Sequence, residues 1–81
     1  MTPKITHEDA FLIVKKIINE VNGTPIKNIN SDDSLIIDLA MDSVELIDFI
    51  IRLEEFNVTI QESNISNALT VGDITAFLLR K

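Results

Sequence analysis

The sequence predicts a small all-α domain, a bundle of three to four helices with a long loop between the first and second helices. The chain has 81 residues, so we expect residues 1–81 to form one domain around one core. Apolar residues make up 46% of the chain, which is enough for that core. Three segments repeat apolar residues at helical spacing, and no stretch of any length alternates as a strand does. These observations together predict helices packed on helices.

The first helix is predicted to run from about His7 to Val21. Thr6 is a suitable N-cap, with Asp9 three residues later as its capping-box partner. Asn22-Gly23 provides the left-handed stop, and Pro25 prevents the helix from resuming. The apolar residues of this segment form one stripe, which consists of Ala10, Phe11, Val14, Ile17, Ile18 and Val21.

A long connection, residues 24–41, follows the first helix. Loops of this length are uncommon in compact domains unless they are functional or attached to the core. Apolar residues recur along it, namely Ile26, Ile29, Leu35, Ile36, Ile37 and Leu39. We expect Leu35 and Leu39 to hold the connection against the core.

The second helix is predicted to begin after Asp42 and to continue to about Phe56. Asp42 as N-cap and Glu45 three residues later form a capping box, which places Ser43 in the first turn. The predicted core stripe of this helix is Leu46, Phe49, Ile50, Leu53 and Phe56.

The opposite side of the second helix carries a further apolar set, Val44, Ile47 and Ile51. Three carboxylates flank this set: Asp48, Glu54 and Glu55. A surface helix is ordinarily polar on its outer side. The set is therefore either covered by the long connection or exposed as a docking surface.

The last third of the chain predicts a weak helical turn near Gln61–Ala68 and then a final helix. Thr70 and Asp73 can cap that helix, which extends to Leu79. The cationic Arg80-Lys81 pair suits the negative end of its dipole. Its predicted core face consists of Ile74, Phe77 and Leu78.

The composition excludes several classes of function. The chain has no cysteine, so it has no disulfide, zinc-thiolate site or thiol nucleophile, which fits the cytoplasm. It lacks Trp and Tyr and has a net charge of −6, which argues against nucleic acids and anionic membranes as partners. No apolar run reaches the roughly 18–20 residues of a membrane span, and the segment from Met1 to Asp9 is unlike a signal peptide.

The negative charge is concentrated in residues 31–62. This segment has nine carboxylates against a single cation, Arg52, a local net charge of −8, while the remainder of the chain is mildly basic. Such a segment is either a solvated surface or a surface for a basic protein partner.

The sequence does not predict catalysis by this chain alone. His7 is the only histidine. A Ser43–His7–Asp triad can be drawn, but any chain with a serine, a histidine and an aspartate allows the same assignment. Asp32-Asp33 lacks the spacing of a calcium loop, no phosphate-binding loop is present, and we expect no metal site.

Ser43 has two interpretations. An anionic group on a hydroxyl in the first turn of a helix is stabilised by about 0.3–1 kcal/mol, which suits a phosphate or phosphodiester modification. Ser43 is otherwise only a helix-start residue, and local physical chemistry favours that second interpretation.

The segment from Asp38 to Phe49 resembles the signature of the acyl carrier protein family. In that family an Asp-Leu-Gly-x-Asp-Ser-Leu run opens the second helix, which ends near Leu-Glu-Glu-Phe. Here that end is Leu53-Glu54-Glu55-Phe56. Ser34-Leu35 and the segment from Thr70 to Ile74 extend the resemblance over nearly the whole chain.

The resemblance implies that Ser43 carries a 4′-phosphopantetheine arm, with Asp42 and Val44 completing the attachment motif. A phosphopantetheinyl transferase would attach the arm from coenzyme A, and the thiol of the arm would hold acyl groups as thioesters. The chain would be a monomeric carrier, not an enzyme. Its partners would be acyl-loading, condensing and acyl-transfer enzymes of fatty acid, polyketide or related biosynthesis, each with a basic docking patch. The surface that receives them, here called the docking face, would consist of Asp38, Val44, Glu45, Ile47, Asp48, Ile51, Glu54 and Glu55.

The sequence departs from the family pattern at several positions. Ala40 stands where the family has Gly, so the loop before Ser43 is expected to be set differently, and Val44 replaces a Leu. Ile36-Ile37 and Thr59-Ile60-Gln61 also differ from the family pattern, and one Glu is missing before Phe56. These departures favour a specialised carrier. An aminoacyl or peptidyl carrier and an unmodified acidic helical adaptor remain as alternatives.

Overall fold

The structure, a computed structural model, describes residues 6–79, without the side chain of Glu62. Three α-helices and two short 3₁₀ turns follow one another in these residues: α1 (His7–Asn22), a turn (Ile26–Asn28), α2 (Ser43–Glu54), a turn (Glu62–Asn64) and α3 (Val71–Leu79). The same residues contain no strand, only one isolated antiparallel bridge between Ser34 and Thr70. The predicted all-α bundle is confirmed.

The limits of α1 follow from local chemistry. Thr6 Oγ1 accepts a hydrogen bond from the Asp9 amide at 3.1 Å, and Asp9 Oδ2 accepts one from the Thr6 amide, which is the predicted capping box. At the other end Gly23 takes a φ of 85° and donates its amide to Asn19 O at 2.9 Å. That left-handed conformation ends the helix one residue later than predicted.

The connection between α1 and α2 is held by the core. Leu35 and Leu39 are buried, as predicted, and so are Ile29 and Met41. The turn at Ile26–Asn28 was not among the predicted elements. Four buried apolar side chains over this short distance explain why so long a connection has a defined course.

Hydrogen bonds join the connection to the start of α3. Three backbone pairs form this seam: Leu35 N to Leu69 O (3.1 Å), Val71 N to Asp33 O (3.0 Å) and Gly72 N to Ser31 O (2.8 Å). The buried hydroxyl of Ser34 adds a bond to Asn67 O at 2.8 Å. A Cβ at Gly72 would lie 3.1 Å from Ser31 O, so the absence of a side chain there permits this close approach.

The core lies between α1 and the other two helices, both of which α1 contacts. Buried residues of α1 are Ala10, Val14, Ile17 and Ile18, whereas Phe11 and Val21 are half-buried against the core. The Thr70–Asp73 box caps α3 as predicted, and Ile74 and Leu78 are buried with Phe77 half-buried beside them. Arg80 and Lys81 lie outside the described residues.

The predicted end of α2 was wrong, whereas the short helical turn predicted after it is confirmed in part. The helix ends at Glu54 and does not reach Phe56, whose side chain is 37% exposed and not part of the core. Asn57 has a φ of 63°, and the Val58 amide returns to Leu53 O at 3.2 Å, so the chain turns away. Of the helical turn predicted over Gln61–Ala68, only the 3₁₀ turn at Glu62–Asn64 forms.

Candidate functional site

Ser43 is the first residue of α2, and its side chain is exposed. The preceding Asp42 is extended, and its Oδ1 accepts a hydrogen bond from the Glu45 amide at 2.8 Å. Glu45 Oε1 in turn accepts one from the Asp42 amide at 3.2 Å. This capping box fixes the start of the helix while leaving the Ser43 hydroxyl free to face solvent.

The loop before Ser43 contains a backbone conformation that is unusual for its residue. Ala40 has a φ of 53°, in the left-handed region that glycine enters without steric cost. Asp38 stabilises this loop, because its Oδ2 accepts a 2.7 Å hydrogen bond from the Ser34 amide. The loop therefore takes the glycine-type conformation despite the alanine, and the carboxylate of Asp38 is used within it.

Asn22, the last residue of α1, also contributes to the site. Its Nδ2 donates a 3.0 Å hydrogen bond to Glu45 Oε1 in a partly buried position. Glu45 is therefore bonded to both α1 and the Asp42 amide, and it is half-buried. The sequence alone indicated Asn22 only as part of a helix stop, because no local signal connects residues so far apart in the chain.

An open groove of about 560 Å³ lies beside Ser43, here called the apolar groove. Its lining residues are Ser43, Leu46, Ile47, Ile50, Ile60 and Ile65. Apart from the Ser43 hydroxyl, every one of these side chains is aliphatic. A group attached to that hydroxyl would therefore lie next to a surface suited to hydrocarbon.

The apolar set on the outer side of α2 is uncovered. Val44, Ile47 and Ile51, here called the apolar strip, are 75%, 58% and 54% exposed. The alternative in which the connection covers them is therefore wrong for this structure. Contiguous exposed aliphatic side chains of this kind are typical of surfaces that bind a partner.

The carboxylates beside the apolar strip differ in their surroundings. Asp48 Oδ1 accepts a hydrogen bond from Arg52 Nε at 3.0 Å, and Arg52 Nη1 lies 3.3 Å from Glu20 Oε1 on α1. The bond to Asp48, followed by the charge of that carboxylate, raises the pKa of Arg52 above its ordinary value. Glu54 and Glu55 are exposed and form no ion pair with any residue in 6–79.

The triad with His7 is not assembled. His7 opens α1, and its ring contacts Phe11 with 6.3 Å between ring centroids. No contact between His7 and Ser43 is found within the described part of the chain. In the same part, no helix has the length and apolar character needed to cross a bilayer.

The residues around Ser43 fit a phosphodiester-linked group. The side chain is exposed, and the first turn of α2 offers backbone N–H groups that have no acceptor within the helix. The carboxylate of Asp42 is occupied by the Glu45 amide. The apolar groove borders the same hydroxyl. These are the conditions for an anionic linkage with an apolar cargo beyond it.

Comparisons with known proteins give consistent results. The family model described as "Phosphopantetheine attachment site" matches residues 13–78. An acyl carrier protein of Thermotoga maritima is 34% identical over 77 residues, which cover 94% of this chain and 95% of that protein. An acyl carrier protein of Acidothermus cellulolyticus is 31% identical, covering 91% and 89%. The meromycolate extension acyl carrier protein of Mycobacterium tuberculosis is 28% identical, covering 91% of this chain and 65% of that protein.

Proposed function

The chain belongs to the acyl carrier protein family, and on this premise we propose that it holds acyl intermediates as thioesters on an arm attached to Ser43. The phosphopantetheine attachment domain of the family carries covalent 4′-phosphopantetheine. One observation above all supports Ser43 as the attachment residue. It is the exposed serine at the capped start of α2, inside the segment that the family model matches.

The roles of the chain's own residues follow from their positions. Ser43 Oγ would bond to the phosphorus on the pantetheine side of the coenzyme A diphosphate. The bond from that phosphorus to the bridging oxygen would break, and adenosine 3′,5′-bisphosphate would leave, with the hydroxyl proton passing to a base of the transferase or to water. Asp42 holds the first turn of α2 in place through the Glu45 amide. The arm supplies a thiol, the group that this cysteine-free chain lacks. Leu46, Ile50 and Ile60 in the apolar groove offer hydrocarbon contact to the cargo.

The proposed partners are a phosphopantetheinyl transferase and the acyl-loading, condensing and acyl-transfer enzymes of a biosynthetic pathway. The apolar strip, together with Glu54 and Glu55, gives a basic enzyme both hydrophobic and ionic contacts beside Ser43. Asp38 and Glu45, also part of the docking face, are hydrogen-bonded within the fold and contribute their charge. Exposed charge pairs are worth about 0–1 kcal/mol each, so we expect micromolar, salt-sensitive complexes that dissociate readily.

We further propose that residues 1–81 act as one monomeric carrier in the cytoplasm, without catalytic residues. The departures from the family pattern, Ala40 and Val44 among them, support a carrier dedicated to one pathway over bulk fatty acid synthesis. The meromycolate carrier shows that the curated relatives include a protein named for one extension pathway. None of the relatives described above favours an unmodified adaptor.

Mass spectrometry of the intact protein tests the proposed function. The chain is incubated with coenzyme A and a broad-specificity phosphopantetheinyl transferase. We expect one arm per wild-type chain and none on Ser43→Ala. Ser31→Ala, which alters another exposed serine of the acidic segment, is the matched control and should accept one arm. No addition to the wild type would contradict the carrier function.

A further inference from the structure

Arg52 interrupts the negative charge of the docking face. It is the only cation among residues 31–62, and it lies on α2 one turn after Asp48. Its guanidinium bonds to Asp48 Oδ1 at 3.0 Å and to Glu20 Oε1 of α1 at 3.3 Å, with 39% of the side chain exposed. A positive charge therefore lies at the solvent surface beside Asp48, on the α1 side of the face that a basic partner would approach.

The three carboxylates beside the apolar strip, Asp48, Glu54 and Glu55, consequently differ in their relation to Arg52. Asp48 is paired with Arg52, so a cation brought to it meets a like charge within a few ångströms. Glu54 and Glu55 lie at the carboxyl-terminal end of α2 and form no ion pair with a described residue. Glu55 borders the same groove as Arg52, and the two charges attract each other although they form no ion pair, whereas Glu54 is outside that groove.

The stabilising effect of the two Arg52 pairs on the fold is small, because both are solvent-exposed. Their effect on recognition is larger, because a surface field acts on every approaching charged partner. An arrangement that adds little stability but changes the charge of a partner-facing surface is typical of a specificity determinant.

We infer that Arg52 is a specificity-determining residue, which excludes partner cations from Asp48 in the middle of α2 and directs them to Glu54. This inference rests on the proposed function, since it concerns the same docking face. Glu54 follows Ser43 by eleven residues, about 16 Å along a helix with a rise of 1.5 Å per residue. The cognate partner is thus a basic enzyme whose cationic side chains lie about 16 Å from the mouth of the channel that receives the arm.

Amide chemical shifts measured during titration with a tetralysine peptide at low salt test the inference on the unmodified chain. In the wild type we expect the peptide-induced shift at Asp48 to be less than half of that at Glu54. In Arg52→Ala the shift at Asp48 should rise to equal that at Glu54. Lys27→Ala removes a positive charge from an exposed residue of the connection and should keep the wild-type ratio.

A second variant separates the charge of Arg52 from its hydrogen bonds. Arg52→Gln keeps a hydrogen-bond donor but no charge, and it should behave as Arg52→Ala does because the effect is electrostatic. Equal shifts at Asp48 and Glu54 in the wild type, or an unchanged ratio in both Arg52 variants, would overturn the inference. The titration needs no attached arm, so its result is independent of whether Ser43 is modified.

Discussion

The side-chain amide of Asn22 donates a 3.0 Å hydrogen bond to Oε1 of Glu45, which joins the end of α1 to the first turn of α2. The same oxygen accepts the Asp42 amide at 3.2 Å. The start of α2, and with it Ser43, is therefore attached to the first helix by a side chain as well as by core packing. Residues on two different helices together fix the position of the proposed attachment serine.

Replacing Asn22 by Ala should destabilise the fold by about 1 kcal/mol, because the partly buried Glu45 loses a hydrogen-bond donor. For a domain of this size such a loss lowers Tm by about 4–8 °C. Thermal unfolding, monitored by circular dichroism, measures this decrease in Tm. Asn28→Ala alters an exposed amide in the connection and is the control. An equal decrease in Tm in the two variants would show that the Asn22–Glu45 hydrogen bond adds nothing to the stability of the fold.

Replacing Ala40 by Gly should stabilise the fold by about 0.5–1 kcal/mol. The native φ of 53° strains an alanine, and relief of that strain exceeds the entropy that glycine adds to the unfolded chain. Urea unfolding measures the gain as a higher midpoint. Ala68→Gly, at an exposed residue without a positive φ, should lower the midpoint slightly. A lower urea midpoint in both variants would contradict the proposed strain at residue 40.

Charge reversal at the end of α2 should weaken partner recognition without unfolding the protein. For Glu54→Lys we expect the KM for arm attachment by a transferase to rise several-fold with kcat little changed, since an exposed charge mainly affects encounter. Stability should change by no more than about 0.5 kcal/mol. Steady-state kinetics and thermal unfolding measure the two effects.

Asp32→Lys makes the same charge change in the connection and is the control for Glu54→Lys. We expect it to affect KM less. If the two variants raised KM equally, overall charge and not the end of α2 would govern recognition.

Added salt should raise the stability of the protein. Residues 31–62 carry a net charge of −8 from nine carboxylates and one cation, and this charge repels itself in the compact state. Salt at 0.15 M shortens the screening length to about 8 Å and weakens that repulsion. Tm measured from low salt to about 0.3 M NaCl should therefore increase. A decrease would mean that the ion pairs of Arg52 outweigh the repulsion.

Elements governed by local chemistry could be predicted from the sequence. The capping residues Thr6, Asp42 and Thr70 act on backbone groups only a few residues away, and all three start helices where expected. Gly23 likewise ends α1 through its own backbone conformation. Leu35 and Leu39 are buried as predicted, although Ile37 of the same connection is 63% exposed.

Features that depend on contacts between distant segments could not be predicted. The periodicity of α2 included Phe56, but the helix ends at Glu54, the Phe56 amide bonds back to Leu53 O, and the Phe56 side chain is exposed. The Asn22–Glu45 bond and the groove beside Ser43 each require two elements to meet. Whether the apolar strip is covered depended on the course of the connection, which no local pattern determines.

Peptide mapping after transferase treatment tests the central claim most directly. Trypsin cuts after Lys27 and Arg52, so one peptide contains Ser31, Ser34 and Ser43 together. Tandem mass spectrometry then locates the arm among these three hydroxyls. We predict that every fragment containing Ser43 carries the added mass and that fragments ending before it do not. An arm on Ser31 or Ser34, or a peptide without any arm, would contradict the account.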